Sequence, residues 1–195
     1  MGLRLNLGSG QNPQGGYLNV DKHGTPDLVC DLESFPWPWP DNSVSEILLN
    51  HVLEHLGAAS DTFIGIMKEM YRVCEHGAMI QIAVPHPRHD NFISDPTHVR
   101  PVVPMTLMLF SKKNNLEWQN AKAANSPLAL HHGVDFDLID TTFVIEEPYA
   151  SDLQSGKLSQ GDLEPLLRKY NNVASEIRFK LVAVKPPPEP GTLGL

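Results

Sequence analysis

Short apolar segments at residues 4–7, 17–20, 28–30, 45–49 and 79–84 each run directly into a polar, glycine-rich or histidine-rich stretch. Such segments, alternating with helical periods, build an α/β domain around a largely parallel sheet. In an open sheet of this kind the ligand binds outside the carboxyl ends of the strands, so the polar stretches are where chemistry is expected. A helix is predicted over residues 61–76, with Ser60 or Asp61 as N-cap and Gly77 as its left-handed stop. Phe63, Ile66, Met67, Met70, Tyr71 and Cys74 recur there at helical spacing as a core face, while Lys68, Glu69, Arg72 and Glu75 point away. Residues 136–146 and 175–184 read as the last two strands, on either side of a helix over 160–170.

Size and charge narrow the class. A chain of 195 residues with 41% hydrophobic content is expected to form one domain, here residues 1–185. Residues 85–134, rich in histidine and proline with a helix starting near Pro104, form an insertion between the fifth and sixth strands; an insertion this long is more often functional than idle. The proline-rich residues 186–195 are expected to be a disordered tail. The formal charge of -8 argues against bulk binding to nucleic acid or to an anionic membrane, whose phosphates want a basic face. No apolar run approaches the roughly 20 residues of a membrane span, and no signal segment opens the chain, so a cytoplasmic protein is expected. Cys30 in a strand and Cys74 in a helix lack metal or redox spacing and read as small buried apolar groups.

The candidate chemistry begins at Leu7-Gly8-Ser9-Gly10, where missing side chains let the backbone turn sharply after the first strand and approach a ligand. Asp21 ends the second strand and can accept two ribose hydroxyls through its two oxygens. Asp31-Leu32-Glu33 follows the third strand, where a carboxylate can accept an adenine amino proton and a backbone N–H can meet a ring nitrogen.

These stretches, with Tyr17-Leu18-Asn19-Val20-Asp21, Asp31-Leu32-Glu33-Ser34-Phe35-Pro36, Pro40-Asp41-Asn42-Ser43-Val44 and His51-Val52-Leu53-Glu54-His55-Leu56, resemble a class I S-adenosylmethionine-dependent methyltransferase of the type 11 family. The resemblance runs in order through Met70-Tyr71-Arg72-Val73 and Gly77 to Val84-Pro85. Beyond it, Asp95-Pro96-Thr97-His98 resembles a subgroup of predicted methyltransferases. It implies a Rossmann-like, doubly wound sheet of seven strands, mostly parallel with the last strand antiparallel. It also implies that Gly8, Ser9 and Gly10 hold the methionine end of S-adenosyl-L-methionine, Asp21 the ribose, and Asp31 and Leu32 the adenine, with Asn50 and His51 near the sulfonium. The chain departs from the family at Asn6 and Asn12, which stand where an acidic residue and a third glycine are usual. Only residues 11–16 separate Gly10 from the second strand, too few for a normal parallel crossover, so the first crossover helix is expected to be shortened or absent. That would leave one flank of the cofactor open, or covered by the insertion or by another subunit, as in a homodimer.

A second cluster, His86, His89, Asp90, Asp95 and His98, offers general bases, with His98 the first choice and His86 the second; Asp95 and Arg100 are candidates for binding substrate. Trp37 and Trp39 are expected to pack over the sheet edge. His51-Val52-Leu53-Glu54-His55 also matches the H-x-x-E-H pattern of zinc hydrolases, but it falls at a strand-to-helix junction, and no metal is assigned. The expected reaction is methyl transfer to a small-molecule or sugar acceptor. Zinc hydrolysis and non-catalytic binding of S-adenosylmethionine are the alternatives.

Overall fold

A computed structural model describes residues 2–186; the expected disordered tail lies almost wholly outside them. Seven strands form one sheet in the order β3-β2-β1-β4-β5-β7-β6: β1 Leu3–Leu7, β2 Leu18–Asp21, β3 Leu28–Val29, β4 Val44–Asn50, β5 Cys74–Pro85, β6 Phe136–Ile145 and β7 Ala174–Ala183. Pairings among β1–β5 are parallel, and β7 runs antiparallel to both of its neighbours, β5 and β6. The order winds outward in both directions from the β1–β4 pair, as expected of a Rossmann-like sheet, and leaves a crevice above that pair.

The connections from β1 to β2, β2 to β3 and β3 to β4 contain turns and bends but no helix, so the missing first helix extends to the whole first half of the sheet. The helices come later: α1 Ser60–Val73; α2 Asp90–Ile93, α3 Pro104–Met108, α4 Lys112–Asn120 and α5 Leu128–His132 within the insertion; and α6 Tyr149–Gln154 and α7 Gln160–Lys169 between β6 and β7.

The strands alternate sharply in burial, the pattern of a sheet with one face in the core. Leu5, Leu7, Ile47, Leu49, Ile80, Ile82, Ile177, Phe179 and Leu181 are buried. Their neighbours along the strands are mainly polar, and Asn6, Leu48, Gln81, Lys180 and Asp140 stand in register across the sheet. Polar groups on this face pair sideways: Arg4 with Glu46 at 2.8 Å, Gln81 with Glu46 at 2.9 Å, and Asn6 with Asn19 at 2.9 Å.

Helix α1 buries Phe63, Ile66, Met67 and Met70, as its spacing predicts, and Val73 besides, while Tyr71 is half-buried; both predicted ends are corrected. The N-cap is Ala59, without a side-chain cap, and the helix stops at Val73. Its last carbonyls dock on the approach to β4: Asn42 N donates to Arg72 O at 3.0 Å and Ser43 N to Val73 O at 2.9 Å. Those bonds satisfy groups that a glycine cap would otherwise serve. Cys74 therefore opens β5 instead of closing a helix, and Gly77, at φ +80°, sits inside β5 where its register with β4 shifts. Trp37 and Trp39 are buried in an edge-to-face pair 5.8 Å apart, held by α1. Glu69 accepts from Trp37 N at 2.6 Å, and Arg72 donates to Trp37 O and Trp39 O at 3.0 and 2.9 Å.

Candidate functional site

Two cavities meet at Gly8 and His51, above the carboxyl ends of β1 and β4. The smaller, about 200 Å³, is lined by Gly8, Asp21, Asp31, Leu32, His51 and Val52, among others. The larger, a groove of about 730 Å³, takes in Ser9, Gly10 and Asn50 and extends over the polar face of the sheet to Gln81, Asp140, Thr142, Arg178 and Lys180. Every residue expected at the cofactor thus lines one cavity or both.

Local chemistry explains how the strand ends are held. Gly10 N donates to Asp21 Oδ2 at 2.9 Å, and His23 N donates to Asp21 Oδ1 at 2.8 Å. Asn6, 4% exposed, donates through Nδ2 to Asn12 O and to Asn19 Oδ1, so its amide fixes the loop. Asp31 Oδ1 accepts from Glu33 N, and Glu33 Oε1 accepts from Gly57 N, which ties the β3 loop to the segment after β4. The two glycines differ. A Cβ on Gly8 would collide with Val52 Cγ2, whereas one on Gly10 would meet nothing within 4 Å among the described residues. Gly8 is thus required by packing, and Gly10 is the glycine with open space for a ligand.

His51 holds a left-handed φ of 55° at the end of β4. Its Nε2 lies 2.6 Å from Glu176, and its Nδ1 lies 3.4 Å from Glu54 Oε1, a contact outside hydrogen-bond geometry. Glu54 raises the His51 pKa above its ordinary value, burial opposes this, and Glu176 adds to the rise. The H-x-x-E-H arrangement of a zinc hydrolase needs both histidines on one helix. Here a 3-10 turn, Leu53–His55, carries only the second, and His51 lies before it.

The remaining candidates stand apart from both cavities. His98 is 7% exposed on its side chain, donates through Nδ1 to Phe92 O and stacks on Phe92. His86 is 8% exposed and accepts through Nδ1 from Arg88 N; it lines a third cavity with Val103, Leu167 and Arg168. Asp95 Oδ1 accepts from Thr97 N and Oγ1. Arg100 does not pair with Asp95: it donates to Gly57 O at 2.7 Å and lies over the Phe63 ring. Sequence reading missed the lining from β6 and β7. The alternation Glu176, Arg178, Lys180 against Ile177, Phe179, Leu181 was the signal, since charges at every second strand position mark a face turned from the core.

No family model matches the chain, and no curated protein sequence does. Among solved structures, a SAM-dependent methyltransferase from Archaeoglobus fulgidus aligns with a TM-score of 0.60 at 20% identity, over 93% of this chain and 86% of that one. A variant 16S rRNA (adenine(1408)-N(1))-methyltransferase from Catenulisporales acidiphilia, with cosubstrate SAM, aligns with a TM-score of 0.51 at 15% identity, over 94% and 86%. The chain has the fold of these methyltransferases.

Proposed function

We propose that the chain is an S-adenosylmethionine-dependent methyltransferase whose cofactor spans the two cavities through the junction of Gly8 and His51. The observation that carries this reading is the meeting of Gly10, Asp21, Asp31 and Leu32 around joined cavities at successive strand ends, in a fold that aligns with a SAM-dependent methyltransferase. S-adenosylmethionine supplies a methyl group already activated on a sulfonium, so the protein's work is to hold donor and acceptor in line. Backbone groups of Gly8, Ser9 and Gly10 would take the methionine end, Asp21 the ribose hydroxyls, and Asp31 and Leu32 the adenine. Asn50 and His51 would face the reacting end.

The acceptor would lie in the groove. Its lining mixes Arg178 and Lys180 with Asp140, Thr142, Asn6 and Gln81, which suits the hydroxyls of a sugar or another polar small molecule better than the continuous basic track a nucleic-acid backbone wants. A proton released by the acceptor would pass to His51, which lines both cavities and is held by Glu176 at 2.6 Å, in preference to His98 or His86, which line neither.

Calorimetry with S-adenosylmethionine and S-adenosylhomocysteine tests the reading. Both ligands should bind the wild type, and Asp21→Ala should abolish measurable binding while the fold is retained. A folded wild type that binds neither would end the proposal. With binding established, transfer of a labelled methyl group to a panel of sugars should fall on Glu176→Gln without loss of cofactor affinity.

A further inference from the structure

Glu54, His55 and His98 form a cluster with none of the roles above. Glu54 is 1% exposed, and among the described residues neither of its carboxylate oxygens has a hydrogen-bond donor. An ionised carboxylate taken out of water demands a compensating positive group. Neither nearby cation supplies a hydrogen bond: His51 lies at ion-pair distance, 3.4 Å, outside hydrogen-bond geometry, and Arg100 donates to Gly57 O, lies over the Phe63 ring and leaves its buried Nε without an acceptor among the described residues. As neutral rings, the two histidines beside this carboxylate present bare nitrogens. His98 Nδ1 faces the Phe92 carbonyl at 2.9 Å; a carbonyl only accepts, so Nδ1 carries the proton and Nε2 the lone pair. Thr97 Oγ1 gives its one proton to Asp95 Oδ1 at 2.6 Å and must therefore accept from His55 Nδ1 at 2.9 Å, which leaves His55 Nε2 bare as well. One ligand atom from each of Glu54, His55 and His98 lies within 4.8 Å of the others.

We propose that Glu54, His55 and His98 bind a divalent transition-metal ion, zinc foremost. Two imidazoles and a carboxylate are the donors such ions select, and each histidine already has the outer hydrogen bond that fixes a ligating ring. Ligand atoms around tetrahedral zinc stand about 3.4 Å apart, so side-chain rotation of roughly an ångström closes the site. Asp95 Oδ2, 3.8 Å from His98 Nε2, stands at its edge. The ion would staple the insertion to the 3-10 turn, where Val99 N already donates to Glu54 O at 2.9 Å. It would border the smaller cavity, which His55 lines. This set differs from the H-x-x-E-H pattern, because His51 is replaced by a histidine 43 positions after His55 that no local motif connects to it.

The test is titration of the chelator-stripped full chain with zinc chloride, and with cobalt(II) as an optical probe of coordination. The wild type should take up one ion per chain with roughly micromolar or tighter affinity and show the visible bands of a low-coordinate cobalt complex. His55→Ala and His98→Ala should each weaken zinc binding at least 100-fold, and Thr97→Val about tenfold through the outer bond alone, with far-ultraviolet circular dichroism confirming the fold. The histidine and threonine variants carry the test even if Glu54→Gln fails to fold. A wild type without one-to-one binding in that range overturns the proposal. So does zinc binding that survives both histidine variants, which would move the ion to a surface pair such as His131 and His132. Metal uptake is read without S-adenosylmethionine, so its failure and that of the cofactor reading are distinguishable.

Discussion

The backbone amide of Gly10 donates to Asp21 Oδ2 at 2.9 Å, which ties the glycine loop after β1 to the tip of β2 through the carboxylate proposed to hold a ribose. The other oxygen holds the His23 amide at 2.8 Å, so one side chain organises two loops. Asp21→Ala should speed hydrogen exchange at both the Gly10 and His23 amides, because neither keeps its acceptor. Asp21→Asn retains one acceptor oxygen and should leave one of the two protected, with S-adenosylmethionine bound about tenfold more weakly. Amide exchange followed by NMR on the three proteins separates these cases; equal protection in all three would show that the carboxylate does not hold the loops.

Arg72 joins α1 to the tryptophan turn, and removing it should loosen that turn. Its guanidinium is 27% exposed and bonds Glu69, Trp37 O, Trp39 O and Asp41. The Asp41 partner is 68% exposed and contributes little, whereas the two carbonyls and Glu69 lie at the edge of the core. Arg72→Met should cost about 2 kcal/mol, from charged hydrogen bonds worth roughly 1.5–3 kcal/mol, and lower Tm by about 4–8 °C. The fluorescence of Trp37 and Trp39 should shift to the red. A fall in Tm below roughly 1 °C would assign the stability of the turn to packing alone.

His86 should make the fold sensitive to acid. Burial is the main cause that lowers its pKa from the ordinary 6.5, and the charges of His89 and Arg88 add to it. The unfolded chain therefore binds a proton here before the folded chain does, so this contribution to stability is fully present above pH 6.5 and is lost as pH falls through the lowered folded value. His86→Gln removes the titration. In urea unfolding, the difference in stability between the wild type and His86→Gln should therefore shrink, or reverse, between pH 7.5 and pH 5.5; a difference independent of pH would show that His86 titrates alike in both states.

Much of the sheet was legible because each strand is apolar on one face and ends in a change of composition: β4 and β7 begin within one residue of the expected positions. Helix α1 was misread at its end because Gly77 is a strong local stop signal, whereas the real stop comes from Asn42 and Ser43, distant in sequence. That Asp21, Asp31 and Leu32 line one cavity was legible because strand ends converge by topology. Arg178 and Lys180 were not, because they lie along the body of the last strand and face the groove only because β7 inserts between β5 and β6. The cluster of Glu54, His55 and His98 was illegible for a related reason: the backbone bond from Val99 to Glu54 brings the insertion back over the 3-10 turn.

Gly8 and Gly10 allow stability and binding to be separated at one loop. Both have positive φ, 68° and 50°, so alanine at either strains the backbone by roughly 1–2 kcal/mol. Only at Gly8 does the new methyl also strike a neighbour, Val52, and overpacking of that kind adds about 1–3 kcal/mol. Gly8→Ala should therefore be the more destabilising variant, and Val52→Ala in the same chain should recover the overpacking part but not the backbone strain. Gly10→Ala should leave a folded protein, since its methyl points into open space, yet that space belongs to the groove where the methionine end is proposed to lie. Its expected signature is a small fall in Tm with a tenfold or larger loss of affinity for S-adenosylmethionine. Chemical denaturation and calorimetry on the three variants decide it. Unchanged affinity in Gly10→Ala would move the methionine end away from this loop, while equal stability losses at Gly8 and Gly10 would show that Val52 can yield.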